Sequence, residues 1–333
     1  MPTLYVQEQG TTVRKKDQQV LVTKEGKTLQ EVPLNRIDQV VLMGRGVQLS
    51  TALLVELIGR GIPVMLTNSK GSRHYATLTD GPSRFGALRL QQMQRVLDPA
   101  WALDLARALV TAKLVSQRAL LASTGWSAIT ASIGQINAAL ASLTSADSID
   151  AVRGYEGAAA AAYFGAWRVA FQHAWGFQGR AFYPPPDPIN AMLSFGYTLL
   201  LHDVLNAVQF TGLDPYFGTF HVVEAGRPSL ALDLMEEFRP IIIDQIVLDL
   251  LRADAVTRTQ FERPPQRPDA VYLDAGGRAL LVDRYEAVMQ APARLPTGEF
   301  TPLRRVVLLQ AQAVARVVRG EQERYVGYTP PGK

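Results

Sequence analysis

The sequence predicts an α+β protein: a small N-terminal β-sheet domain followed by a larger all-helical one. Two observations carry this expectation. Short alternating apolar runs, separated by Gly, Asp, Lys and Asn, fill roughly the first 80 residues, which is the pattern of half-buried strands. Beyond Gly81-Pro82-Ser83 the texture changes to long stretches of helical period, rich in Leu and Ala and poor in β-branched clusters. The boundary falls there, giving domains 1–82 and 83–333.

Candidate strands are Thr3–Glu8, Gln19–Thr23, Leu29–Pro33 and Ile37–Leu42. Ser50 is placed to cap a short helix, Thr51–Gly59, that turns Leu53, Leu54, Leu57 and Ile58 inward. Pro63–Leu66 and Ala76–Leu78 resume strand character, and small antiparallel sheets with one buried face would account for the region. Helices are predicted at Leu88–Leu97, Ala102–Leu121, Ile129–Leu143 and Ala151–Trp175. The breaker Tyr183-Pro184-Pro185-Pro186-Asp187-Pro188 forces an extended segment before a helix from Ile189 to Gln209. A single helix over Ser229–Leu251 follows. A Pro-rich stretch Arg263–Pro268, a hairpin over Val271–Val282 turning at Gly276-Gly277, and an amphipathic helix Pro302–Arg319 complete the chain.

Composition narrows the class. Of 333 residues, 47% are hydrophobic and 19% charged, which supports folded cores rather than disorder. With 0 cysteines, disulfides, thiolate metal sites and cysteine nucleophiles are excluded. No run reaches the ~18 uninterrupted apolar residues of a membrane span, and the N-terminus lacks the pattern of a signal peptide. A cytoplasmic protein with no membrane partner is the expectation. The net charge of +4 suits a polyanionic partner without specifying one. Arg304, Arg305, Arg316, Arg319 and Arg324 recur in the last third, where a solvated helix face is the plainer account. A nucleotide phosphate loop, a Gly-x-Ser-x-Gly elbow and a His-Glu-x-x-His helix are all missing.

The most informative stretch is Gly212–Asp244. It sets His221 on a loop or strand end, then a Gly-Arg-Pro-Ser turn, then a helix opening at Ser229. On that helix Asp233 and Glu236 are spaced to share a face, among Leu230, Leu232, Leu234, Met235 and Phe238. A helix so apolar is buried, and an acid within it is costly unless paired or bound to a cation. Glu237 is expected to point elsewhere and be solvated. Glu156 opens an uncharged run that extends to Arg168, although a first-turn glutamate favoured by the helix dipole is the plainer account.

Glu156, His221 and Glu236, with Asp233 nearby, offer one nitrogen and several carboxylates. That set suits Mg²⁺ or Mn²⁺, and zinc accepts it too. Such an ion would neutralise the charge that develops at a phosphodiester. The plainer account of His221 is a hydrogen-bonded core histidine; His74, His173 and His202 read as core or surface residues. Arg107, Lys113 and Arg118 on one helix, and Arg180 before Phe182-Tyr183, are candidates to grip DNA phosphates or stack on frayed bases. A solvated face accounts for Arg107 as well. Tyr155, Tyr163, Tyr197 and Tyr216 either line the site or pack with satisfied hydroxyls.

Several segments carry a family resemblance: GYEGAAAAAYF, PPPDPINAMLSFGYTLL, GLDPYFGTFHVVEAGRPSLALDLMEEFRP, and ARALVTAKLVSQRALL with its Lys-x-x-x-Gln-Arg pattern. GVQLSTALLVELIGRGIPVMLTNSKG matches less specifically. The chain resembles the CRISPR-associated integrase and endonuclease of the spacer-acquisition module. The resemblance implies a dimerising β-domain and a helical catalytic domain. It puts metal-ligand roles on Glu156, His221 and Glu236, with Asp233 as the neighbouring catalytic acid and Mg²⁺ or Mn²⁺ as cofactor. It further implies a homodimer bridged by a small companion protein, acting on double-stranded or branched DNA. Short fragments would enter a CRISPR array by attack of a 3′-hydroxyl on a repeat phosphodiester. Two other classes stay open on the residues alone: a metal hydrolase of small phosphoesters, and a non-enzymatic DNA-binding scaffold whose acids are neutralised by arginines such as Arg239.

Overall fold

Internal packing divides the chain into two units, Met1–Arg84 and Phe85–Lys333. The computed structural model describes residues 3–69, 74–78, 85–126, 129–181 and 183–330, so the Gly81-Pro82-Ser83 breaker lies outside the described residues.

In the first unit the strands are β1 (Thr3–Val6), β2 (Thr11–Lys16), β3 (Gln19–Lys24), β4 (Lys27–Pro33), β5 (Gln39–Met43), β6 (Gln48–Leu49), β7 (Val64–Thr67) and β8 (His74–Leu78), with α1 at Thr51–Gly59. They form two four-stranded sheets, ordered β1-β5-β7-β8 and β4-β3-β2-β6. The expected antiparallel pairing holds for β2-β3-β4 and for β7-β8, but the sheets are mixed. β5 pairs in parallel with both β1 and β7, and β2 with β6. The reason is visible in β5: every residue from Gln39 to Met43 is buried, as in strands covered on both faces, and α1 supplies the crossover to β7. Strand β2 escaped the sequence reading because TTVRKK is mostly polar. It still alternates, burying Thr11 and Val13, and pairs with β3 along its whole length. Ser50 caps α1 as expected, its Oγ accepting from Leu53 N at 3.3 Å. Leu53 and Leu57 enter the core with Val13, Val20, Val40 and Val64, while Leu54 packs only partly.

The second unit is mainly helical: α2 (Gly86–Val96), α3 (Pro99–Ala122), α4 (Ile129–Leu143), α5 (Ile149–Trp175), α6 (Pro188–Thr211), α7 (Ser229–Met235), α8 (Gln245–Arg252), α9 (Ala275–Gln290) and α10 (Leu303–Val318). Short antiparallel pairs join Phe261–Glu262 to Tyr272–Leu273 and Pro292–Arg294 to Phe300–Pro302. Helix α6 is the hub, packed against α7, α9 and α10. Among the described residues it is the one helix long and apolar enough to cross a membrane, and 78% of its most apolar window is buried inside the fold. Its Gly196 lets the chain after α7 come close, since a Cβ there would lie 2.6 Å from Ile243 Cγ2.

Three further expectations are corrected. Ser229–Leu251 is not one helix. It stops at Met235, and around Pro240, which has no N–H to give, the backbone widens into a π-helical segment, Arg239–Asp244, before α8. The hairpin over Val271–Val282 is instead the start of α9: Asp274 Oδ1 accepts from Gly277 N at 2.7 Å, and Gly277 has no room for a side chain beside Gln260 O. Glu237 is not solvated but fully buried. It accepts from Tyr325 Oη and from Tyr328 N, each at 2.7 Å, which straps the C-terminal segment against the fold. Burial pushes its carboxyl up to about 8, with the Tyr325, Tyr328 and Gln310 hydrogen bonds pulling the other way.

Arg304 likewise leaves the solvated stripe assigned to it. Its Nη2 lies 3.2 Å from Asp203 Oδ2 and 2.6 Å from Glu286 Oε1, and Tyr285 Oη donates to the same Asp203 oxygen at 2.5 Å. Removing one partner of a buried ion pair exposes the other to its desolvation cost. Arg304→Ala should therefore lose roughly 3–5 kcal/mol of stability. Arg319→Ala, at a far more exposed position, should stay within about 0.5 kcal/mol in the same urea unfolding series.

Candidate functional site

The loop from Gly212 to Pro228 has no regular structure, yet it is pinned from Asp214 to Val222. It leaves α6 at Gly212, whose φ of +91° forms the helix cap. Gln92 on α2 accepts from Asp214 N at 2.8 Å and donates to the carbonyls of Asp214 and Phe217 at 2.8 and 3.0 Å. Arg153 on α5 donates Nε and Nη2 to Phe220 O at 2.9 and 2.6 Å. Ser229 Oγ donates to Val222 O at 3.0 Å. The strongest clamp is Asp233 on α7, which is fully buried. Its Oδ2 accepts from Thr219 N and Phe220 N at 2.6 and 2.9 Å, and its Oδ1 from His221 N at 2.8 Å.

Asp233 Oδ1 also lies 2.7 Å from His221 Nδ1. An ionised carboxylate only accepts, so this contact puts an imidazole proton on Nδ1 and leaves Nε2 as the ring nitrogen turned away from Asp233. Nε2 points toward Glu236, whose Oε1 is 3.7 Å away. Glu236 and Asp233 share one face, as their spacing required. Glu156 approaches from α5, two turns inside that helix, whose cap is Ser148, so the first-turn explanation does not apply to it. The structure thus brings all four residues named from the sequence to one place.

What sits between the two glutamates is a lysine. Lys113 Nζ, from α3, is 2.6 Å from Glu156 Oε1 and 2.5 Å from Glu236 Oε2. Arg239 Nη2 lies 3.2 Å from Glu236 Oε1, with its guanidinium 4.6 Å from the centre of the Tyr197 ring. Although burial opposes ionisation of Glu236, Arg239, Lys113 and His221 together hold its carboxyl well below the usual range. Burial pushes Asp244 up to about 6, against the pull of hydrogen bonds from Tyr197 and Tyr163 at 2.6 and 3.0 Å. These groups border a cavity of about 570 Å³, into which Arg168 and Arg180 also face.

The remaining candidates fall differently. Lys113 is in the centre rather than on a solvated face. Arg180 lines the cavity, held by Asn190 Oδ1 at 2.8 Å and Ser194 Oγ at 3.2 Å. Arg107 pairs with Asp104 at 3.0 Å beside a second cavity, and Arg118 donates to Asn137 Oδ1 at 2.9 Å. Tyr163 and Tyr197 are buried, whereas Tyr216 is exposed. His173 is exposed and His202 buried. Phe182 and the side chain of His74 lie outside the described residues. Gln92, Arg153 and Gly218 were not picked out from the sequence. Arg153 carried a usable signal, lying one helical turn before Glu156; a lone glutamine and a glycine carried none.

Among the described residues no three His, Asp or Glu side chains stand close enough together to hold a metal ion. The donor chemistry nevertheless fits one. Two carboxylates and an imidazole line one cavity, and the other ring nitrogen is committed to a carboxylate as in ligating histidines. Glu156, His221 Nε2 and Glu236 are the residues that would hold the ion.

Fold and site together define an α+β protein of two units, one β-rich and one mainly helical, the helical unit carrying a largely buried carboxylate–imidazole centre. The family model "CRISPR associated protein Cas1" matches residues 4–287, and the chain belongs to that family. A protein named CRISPR-associated endonuclease Cas1 1 from Thermus thermophilus is 36% identical over 329 residues, covering 98% of each chain. One named CRISPR-associated endonuclease Cas1 2 from Rhodospirillum rubrum is 34% identical, covering 97% of this chain and 96% of the relative. Among solved structures, a CAS1 protein from Thermotoga maritima superposes with a TM-score of 0.80 at 21% identity, over 99% of this chain and 100% of the other. A casposase bound to integration product gives 0.84 at 22% identity, over 99% and 95%. These likenesses establish a shared fold.

Gly218 has a purely steric role: a Cβ would lie 2.6 Å from Asp233 Oδ2 and from the Ser229 backbone. Gly218→Ala should cost roughly 1–3 kcal/mol in denaturant melts by displacing the loop. Gly157→Ala, in mid-α5 with nothing near its Cβ, should instead gain roughly 0.5–1 kcal/mol.

Proposed function

We propose that this chain is a divalent-metal-dependent DNA endonuclease and integrase that inserts short DNA fragments into a CRISPR array. The observation that carries the reading is the convergence of Glu156, His221 and Glu236 on one cavity, with His221 oriented by Asp233. When bound, Mg²⁺ or Mn²⁺ supplies Lewis-acid neutralisation of a phosphodiester and activation of the attacking oxygen. The protein supplies the rest. Asp233 keeps the imidazole in one tautomer and fixes its direction. Arg239, Arg180 and Arg168 make the cavity attractive to a phosphate; Arg239, stacked on Tyr197, is held where it cannot swing away. A 3′-hydroxyl as nucleophile gives strand joining, and water gives cleavage.

Support for the DNA and partner parts comes from the neighbours. One resembling structure is a casposase bound to integration product, and another, titled Cas6-RT-Cas1--Cas2 complex, gives a TM-score of 0.83 over 98% of this chain and 36% of that one. On this reading the protein acts on double-stranded or branched DNA as a homodimer, joined through its β-rich unit and bridged by a small companion protein. Cytoplasmic location follows from the same role.

One observation favours a second reading. Glu236 is already matched by Lys113 and Arg239, as in a scaffold with structural acids. Calorimetric titration with Mn²⁺ separates the two, because a scaffold shows no site-specific loss on mutation. In the proposed enzyme Glu156→Ala, His221→Ala and Glu236→Ala each abolish metal-dependent cleavage and joining of branched DNA while circular dichroism shows an intact fold. Asp233→Asn, which keeps the three ligands but weakens both the imidazole contact and the loop clamp, should lower metal affinity or activity about 10–100-fold or more. Full activity in any of the three alanine variants would overturn the assignment.

A further inference from the structure

We infer that the Lys113 ammonium is a built-in counter-cation that bridges Glu156 and Glu236 and must be displaced when a divalent ion binds. The inference rests on the metal-binding reading of the site and adds a residue that regulates it. Glu156 and Glu236 come from α5 and from the end of α7, and both are largely shielded from water. Two shielded carboxylates facing one another repel, and the fold needs a positive charge at their meeting point. Lys113 provides it at 2.6 and 2.5 Å, with only 10% of its side chain exposed. Burial disfavours its charge, but Glu236 and Glu156 outweigh that cost and hold the ammonium above its ordinary range.

The chemistry of the two cations beside Glu236 differs in a way that singles out Lys113. Arg239 is fixed by its stack on Tyr197 and by its own pairing. Lys113 is a point charge on a flexible four-carbon stem and can swing without breaking a planar contact. It has somewhere to go. Gln117, one turn along α3, lines the same cavity, and its Oε1 is buried with no hydrogen-bond partner among the described residues. An ammonium leaving the glutamates meets that acceptor inside a space of about 570 Å³. Lys113 therefore lowers apparent metal affinity, stabilises the metal-free fold, and on release adds a positive charge to the side of the cavity that a phosphate would enter.

The test uses the full-length chain. Lys113→Met keeps the stem and removes the charge. Since only the displaced population of the wild type can take the ion, Lys113→Met should bind Mn²⁺ about tenfold more tightly or better by calorimetry. Its metal-free form should melt below the wild type, and saturating Mn²⁺ should close the gap. In the wild type, lysine-selective NMR should show the Lys113 ammonium signal shifting as Mg²⁺ saturates the site. Equal or weaker Mn²⁺ binding by Lys113→Met, with wild-type binding intact, overturns the displacement and leaves the metal reading standing. Absence of binding in both proteins overturns the metal reading as well. Should Lys113→Met fail to fold, the wild-type NMR titration decides, and an ammonium signal unmoved at saturating Mg²⁺ sinks the inference.

Discussion

Asp233 is a carboxylate with no exposed surface whose two oxygens receive three backbone N–H groups and one imidazole. Charged acceptors in a low-dielectric interior make strong hydrogen bonds, and several converging on one group act as a unit. The consequence is that Thr219, Phe220 and His221, which belong to no helix or strand, are held as rigidly as if they did. Loops ordinarily bring function at the cost of mobility. Here a short helix, α7, lends its stiffness to a loop through a single side chain. Gln92 and Arg153 hold the same loop from α2 and α5, so three helices agree on where His221 stands.

The adjacent acids Glu236 and Glu237 divide two tasks. Glu236 enters the cavity, while Glu237 receives the Tyr325 hydroxyl and the Tyr328 amide of the C-terminal strap. Gly327 of that strap passes so close to α3 that a Cβ would lie 2.5 Å from Ala112 Cβ and 2.9 Å from Glu237 Oε2. The strap therefore presses on the immediate neighbours of both Lys113 and Glu236, bracing the ion pair from behind. Beyond it, the π-helical segment brings Arg239 and Asp244, its first and last residues, to the same cavity. Such widened turns recur at functional sites because they re-aim side chains that an α-helix would spread around its axis.

Much of this was legible in the sequence, for identifiable reasons. Asp233 and Glu236 stood out because acids on a buried helix face demand partners, and helical spacing fixed their common direction. Glu156 stood out as the one charge in an alanine-rich run. Harder to see was the role of Lys113, because a lysine on an amphipathic helix looks like a solvated residue until the opposite helix supplies its carboxylates. Glu237 failed for the same reason: its partners lie about ninety residues downstream. The parallel pairing of β5 and the helix begun by Gly276-Gly277 were missed because register and capping depend on tertiary neighbours. Local patterns see one element at a time, and buried charge is settled between elements.

The charge balance of the cavity gives the site its direction. Two glutamates alone would repel a phosphodiester, and Asp244, held neutral or ionised around a pH of about 6, adds to that repulsion as pH rises. Lys113, Arg239, Arg180 and Arg168 more than match them. On the proposed reading a divalent ion tips the balance further toward the substrate and frees the lysine to join the arginines. Cleavage and joining then share one electrostatic environment and differ in which oxygen is presented to the phosphorus. On that reading the choice between water and a 3′-hydroxyl rests with how DNA is positioned over the cavity, not with the centre itself. A centre of this kind loses both reactions when any of its ligands is removed, whereas a change in the DNA-facing surface can alter one reaction and spare the other.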